Sequence, residues 1–127
     1  MDTARRNPAA HAVRILLLLG WCGVVWYLSD RPDPRGTVGI PLELPDWLLH
    51  GSEYAAGGFL ARHALRPLVV SRLPVPFLFC CAWALLDEWH QSFVPGRDAA
   101  FGDVVADAVG AALGVVAHAT WVALRAR

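Results

Sequence analysis

The chain has 127 residues, 56% of them hydrophobic, with 11 basic and 11 acidic residues and a formal net charge of zero. That length makes one domain, and an apolar fraction above the ~45–50% of soluble domains excludes a disordered chain. Zero net charge argues against a nucleic-acid module, which carries a basic excess, although every basic residue here is Arg.

Four apolar segments, at about 12–28, 48–65, 73–91 and 102–124, alternate with stretches rich in Pro, Gly and charge. At the first, Arg5, Arg6 and Arg14 precede an uncharged run from Ile15 to Leu28, a pattern shared with signal peptides. However, Ser29-Asp30-Arg31-Pro32 comes next, without a small-residue cleavage pattern, so the segment reads as a retained transmembrane helix. A polar, Pro-rich stretch from 30 to 46 reads as an external loop. Pro74 and Pro76 open the third segment near its first turn, where Pro is tolerated. Each segment approaches the ~20 residues that span a ~30 Å hydrocarbon core. Their middles are apolar all round, where a helix of a soluble bundle would keep a polar stripe. Cys22, Cys80 and Cys81 lie within these stretches and read as small buried hydrophobes, without a disulfide framework or zinc spacing. The predicted architecture is all-α: one integral membrane domain over 1–127, a bundle of about four transmembrane helices.

Charge placement sets the predicted orientation. With the N-terminus cytoplasmic, Arg5, Arg6, Arg14, Arg62, Arg66, Arg72, Arg125 and Arg127 fall inside, and only Arg31, Arg35 and Arg97 outside, as the positive-inside rule requires. Both termini are then cytoplasmic. Of the acids only Asp2 falls inside; the other ten lie outside or just within the outer leaflet. Trp26, Tyr27, Trp47 and Trp89 fall at outer helix ends and Trp121 at an inner one, as in interfacial aromatic belts.

The outer helix ends carry the candidate site. Asp46, His50, Glu53 and Tyr54 share one face of the second helix; Asp87, Glu88 and Gln91 end the third; Asp103 and Asp107 form an i, i+4 pair opening the fourth. Arg97, in the loop between the last two, is the only cation expected nearby. A charge at the bilayer centre costs about 2.5–3.5 kcal/mol on insertion scales, so these groups are expected to turn inward on one water-filled pocket open to the outside. Gly110 and Gly114 continue the face of Asp107 as a small-residue pattern that lets another helix approach closely. Asp87, Glu88 and His50 are candidate catalytic acid–base groups. No cofactor is expected, although carboxylates of this kind suit a divalent cation. No nucleophile triad and no Gly-rich phosphate loop is present. The other histidines, His11, His63, His90 and His118, sit near helix ends without an assigned role.

The run Asp87-Glu88-Trp-His-Gln91-Ser-Phe-Val-Pro95-Gly96-Arg97, followed by Asp103 and Asp107-Ala-Val-Gly110, resembles the signature of the VanZ-like membrane proteins, D-E-x-x-Q-x-F-x-P-G-R, a spaced D, then N-x-x-G. Upstream, Asp46-Trp47-Leu-Leu-His50-Gly-Ser-Glu-Tyr54 resembles that family's D-K-x-x-H-x-x-x-Y stretch. Trp47 stands where the family often has Lys, and Asp107 where Asn is usual. The resemblance implies a small multi-pass protein of the bacterial cytoplasmic membrane, and its namesake is associated with resistance to teicoplanin. Three functions follow as expectations: an envelope protein whose outward acidic pocket binds a ligand and so affects glycopeptide susceptibility; an enzyme acting on a lipid-linked or phosphate-bearing envelope substrate; or a structural, partner-binding protein. The expected partners are the lipid bilayer and an envelope precursor or glycopeptide, with an oligomer open and nucleic acid excluded.

Overall fold

The computed structural model describes residues 7–41, 43–66 and 74–127. Asp2, Arg5, Arg6, Arg72 and Leu73 lie outside the described residues. Among the described residues the chain is 80% helix, with no strands.

Helix α1 (Pro8–Ser29) starts where Asn7 accepts the Ala10 N–H at 3.0 Å and Pro8 takes the first helical position. Helix α3 (Asp46–Leu65) begins directly after Pro45, α4 runs Pro74–Gln91, and α5 runs Phe101–Arg125. These are the four predicted segments, with α1 beginning four residues earlier than its apolar run because the Asn-Pro cap, not hydropathy, sets its start. The stretch from 30 to 46, expected as a loop, holds a further short helix, α2 (Pro34–Val38). Asp33 caps it by accepting the Gly36 N–H at 2.9 Å, Pro34 pre-sets its first turn, and Gly39, at φ 71, ends it in the left-handed region that favours glycine.

The long helices run alternately up and down, with α3 packed against α1, α4 and α5. The α3–α5 contact is the most intimate. Gly51, Ala55 and Gly58 of α3 meet Gly110, Ala111 and Gly114 of α5 backbone to backbone. A Cβ on Gly58 would overlap the Ala111 carbonyl; one on Gly110, the Gly51 carbonyl; one on Gly114, the Ala55 carbonyl. The seam predicted from Gly110 and Gly114 is therefore present, and α3 supplies a matching small-residue face. On the other side of α3, the Trp21 indole of α1 lies over Gly57, donates from Nε1 to the Glu53 carbonyl at 3.0 Å, and meets the Tyr54 ring edge-on at 5.2 Å.

The interior combines small and polar side chains with the larger Leu18, Trp21, Val25, Tyr54 and Val115. Ala61, Ala64, Cys80, Ala84 and Ala111 are buried together with Asp87, Gln91, Asp107 and His118, whereas Leu16, Leu19, Leu78, Leu85, Val109 and Leu113 are exposed. Large apolar side chains exposed in such number are unusual for a water-soluble protein. Helices α1 (22 residues) and α5 (25 residues) are long and apolar enough to cross a membrane, with only 28% and 33% of their apolar windows buried in the bundle. The cysteines are free, Cys22 and Cys80 buried and Cys81 partly so.

Gly58→Leu is expected to lower stability by about 1–3 kcal/mol or more through overlap with the α5 backbone. Gly20→Leu, at a position where a Cβ meets nothing within 4 Å, is expected to stay within about 0.5 kcal/mol of the parent. Thermal unfolding of both variants in detergent checks the contrast.

Candidate functional site

Because the helices alternate in direction, the ends of α1 and α4 and the starts of α3 and α5 fall at one end of the bundle. A cavity of ≈ 380 Å³ opens there under the roof formed by α2. Val25 and Leu28 of α1, Val38 of α2, Ile40 and Leu49 make its apolar wall. Asp46, His50, Glu53, Asp87, Gln91 and Arg97, all expected at the site, line it, together with Ser29 and Arg35.

His50 is the best-anchored of these. Its Nδ1 lies 3.0 Å from Oδ1 of Asp107, whose side chain is 1% exposed, and its Nε2 lies 3.8 Å from Oδ2 of Asp103. The i, i+4 spacing of Asp103 and Asp107 brings both carboxylates to the same imidazole. The close approach of Gly51 to Gly110, one residue and three residues further along their helices, holds the two backbones near enough for the contact. With Nδ1–H donated to Asp107, a neutral His50 keeps Nε2 as an acceptor, and a protonated one donates from both nitrogens. Asp103 and Asp107 therefore stand behind His50 rather than in the cavity wall.

On α4, Asp87 is 3% exposed and accepts from Gln91 Nε2 at 2.9 Å across one helical turn, with Ser29 of α1 beside it. Asp87 Oδ1 and the Tyr54 hydroxyl are buried without a hydrogen-bond partner among the described residues. Tyr54 is 0% exposed, below the cavity and within electrostatic reach of Asp87 and Asp107. Such orphaned polar atoms are costly unless a water or ligand atom satisfies them. Glu88, one residue from Asp87, turns away and accepts the backbone N–H of Ala100, tying the loop before α5 to the end of α4.

That loop delivers Arg97. The Val94 N–H bonds to the Gln91 carbonyl at 3.0 Å, the Arg97 N–H bonds to the Val94 carbonyl at 3.1 Å, and Gly96 sits at φ 84, so the chain turns back and points Arg97 toward Glu53. Arg97 is not the only cation nearby. Arg35 of α2 pairs with Asp46 at the cavity mouth and donates to the Leu44 carbonyl at 2.6 Å. Sequence reasoning placed Arg35 on the outer side but not at the site, although Asp33-Pro34 and Gly39 carry start and stop signals for a short helix. His90 leaves the site altogether: it stacks on Trp26 at a centroid distance of 4.1 Å and lies 3.2 Å from Asp30.

The arrangement therefore combines an apolar wall, carboxylates on α3 and α4, two arginines at the rim, and a histidine held by a buried aspartate. It can bind an amphipathic ligand through charge and apolar contact, and it can move a proton at His50 Nε2. Among the described residues, no three His, Cys, Asp or Glu side chains are grouped to hold a metal ion.

The two members of the His50–Asp107 pair are not equivalent. His50→Leu strands a carboxylate that is 1% exposed and is expected to lower stability by about 3 kcal/mol or more. Asp107→Leu leaves a half-buried imidazole that still reaches solvent through the cavity, with an expected loss of about 1 kcal/mol. Chemical unfolding in micelles should rank them in that order.

The chain belongs to the VanZ/LLP1 family, whose model matches residues 50–122, from His50 through most of α5. No curated protein and no solved structure matches it. Family membership and the two apolar helices together point to a membrane protein.

Proposed function

We propose that this VanZ/LLP1 member is a four-span protein of the bacterial cytoplasmic membrane, with both termini inside. Its outward pocket binds an amphipathic envelope ligand bearing a cationic group, and through that binding the protein affects susceptibility to glycopeptides such as teicoplanin. The observation that carries this reading is the pairing of buried carboxylates, Asp87 above all, with an apolar wall in one cavity. A carboxylate with an unpartnered oxygen is favourably met by an ammonium group, and Val25, Leu28 and Leu49 offer contact to an acyl or aromatic portion. The span number rests on the 18–25-residue lengths of the four long helices and on the exposed apolar residues of α1, α4 and α5. The orientation rests on the arginines gathered at the end opposite the pocket. No cofactor is required, and a chelator is expected to leave binding unchanged.

Purified protein titrated with teicoplanin or a lipid-linked envelope precursor should bind, and Asp87→Asn should weaken binding about tenfold, the ~1.5 kcal/mol lower bound of a charge-assisted hydrogen bond, while accumulating normally. No binding, with unchanged susceptibility on deletion or expression, refutes the proposal. Loss of abundance alone would assign the pocket a structural role. Single cysteines introduced at Asp46 and Arg66 should react with an impermeant maleimide from outside and from inside, respectively; the reverse pattern inverts the orientation.

The Asp107–His50 pair favours a second reading, an enzyme acting on a lipid-linked or phosphate-bearing envelope substrate. His50 serves as acid–base group, and Arg97 and Arg35 face the substrate's phosphate. In that case His50→Gln abolishes turnover of the precursor without weakening its binding.

A further inference from the structure

The other end of the bundle, where α1 begins and α3 and α5 end, holds a second cluster of titratable groups that the pocket does not use. His63 Nδ1 of α3 lies 3.0 Å from His118 Nε2 of α5, and His118 is 1% exposed. Trp121 closes the cluster, 5.4 Å from the His118 ring and 6.1 Å from the His63 ring between centroids. Arg14 of α1, Arg62 of α3 and Arg66, which caps the end of α3, all act electrostatically on the imidazole pair.

Nothing described offsets this positive charge. None of the three arginines enters an ion pair among the described residues, and every described Asp and Glu lies within 30–53 or 87–107, toward the pocket end. Arg62 Nε and His118 Nδ1 are buried without hydrogen-bond partners among the described residues. Three helices thus converge on guanidinium groups and an imidazole nitrogen without a partner, beside a tryptophan and exposed apolar side chains such as Val116 and Leu124. Guanidinium groups recognise phosphate oxygens through paired donors, and basic pockets between helix ends accept anionic headgroups.

We infer that this cluster is a binding site for the phosphate of an anionic phospholipid. The headgroup sits against Arg14, Arg62 and Arg66, and an acyl chain runs along the exposed apolar flank beside Trp121. The site rests on the bilayer placement proposed above. A lipid is favoured over a free phosphate because the donors border surface that is itself apolar.

The full chain in neutral detergent is titrated with short-chain phosphatidylglycerol, short-chain phosphatidylcholine and inorganic phosphate, with bound lipid counted by native mass spectrometry. Phosphatidylglycerol should bind at least about tenfold more tightly than phosphatidylcholine, and each arginine removed, as in Arg14→Gln or Arg62→Gln, should weaken it about fivefold. Arg127→Gln, an equal change in net charge outside the cluster, should leave it unaltered. Equal binding of the two lipids overturns the inference, and so does an equal loss in Arg127→Gln. Competition by millimolar inorganic phosphate assigns the site to free phosphate and overturns the lipid. Should the Arg14 and Arg62 variants fail to fold, exposed Arg66→Gln carries the same test. A chain that stays soluble without detergent would instead refute the bilayer placement itself.

Discussion

The close approach of α3 and α5 governs the rest of the molecule. Gly58, Gly110 and Gly114, at positions where a Cβ would strike a carbonyl, bring two backbones into direct contact alongside Gly51. Dispersion contacts between closely spaced backbones replace the interlocking of large side chains that holds a water-soluble bundle together. The same seam fixes the site. Asp107 reaches His50 because its helix lies this near, and at the opposite end His118 reaches His63 for the same reason. One packing contact therefore sets the geometry of both polar clusters.

Polarity is sorted in two directions. Across the bundle, small and polar residues face inward with Leu18, Val25 and Val115, while most other Leu and Val face outward. Along it, among the described residues, the carboxylates gather at the end with the cavity and Arg14, Arg62, Arg66, Arg125 and Arg127 at the other, an opposition that a net charge of zero conceals. The cavity itself is mixed, since Arg35 and Arg97 stand at its rim against Asp46 and Glu53. A ligand carrying both signs of charge meets a complement to each there.

The long helices were legible because apolar runs of near-spanning length are bounded by Pro, Gly and charge, signals that survive without tertiary context. Helix α2 was not, since five residues bury almost nothing and leave only capping signals at Asp33 and Gly39. At the site, i, i+4 spacing gave the correct faces but not the depth. Asp103, Asp107 and Tyr54 lie behind or beneath the wall that His50, Glu53, Asp87 and Gln91 form, because depth depends on how close the neighbouring helix comes. Glu88 shares its neighbour's sequence context yet bonds to a loop backbone, a choice made by the chain's path after Gly96. Arg35 and the His63–His118 pair joined partners 11 and 55 residues away, distances at which residue spacing along one helix carries no information.

A bundle whose closest seam is glycine and alanine, with most of its leucines and valines outside it, has a thermodynamic consequence. In a bilayer, Leu19, Leu85 and Leu113 touch hydrocarbon whether the helices are together or apart, so separating them exposes little apolar surface to water. The heat-capacity change that bends the stability curve of soluble domains is then small, and the balance between assembled and separated helices varies only gently with temperature. What opposes separation is chiefly the loss of backbone contact along the seam and of hydrogen bonds such as that of His50 to Asp107, interactions that do not fade as hydrophobic burial does on cooling.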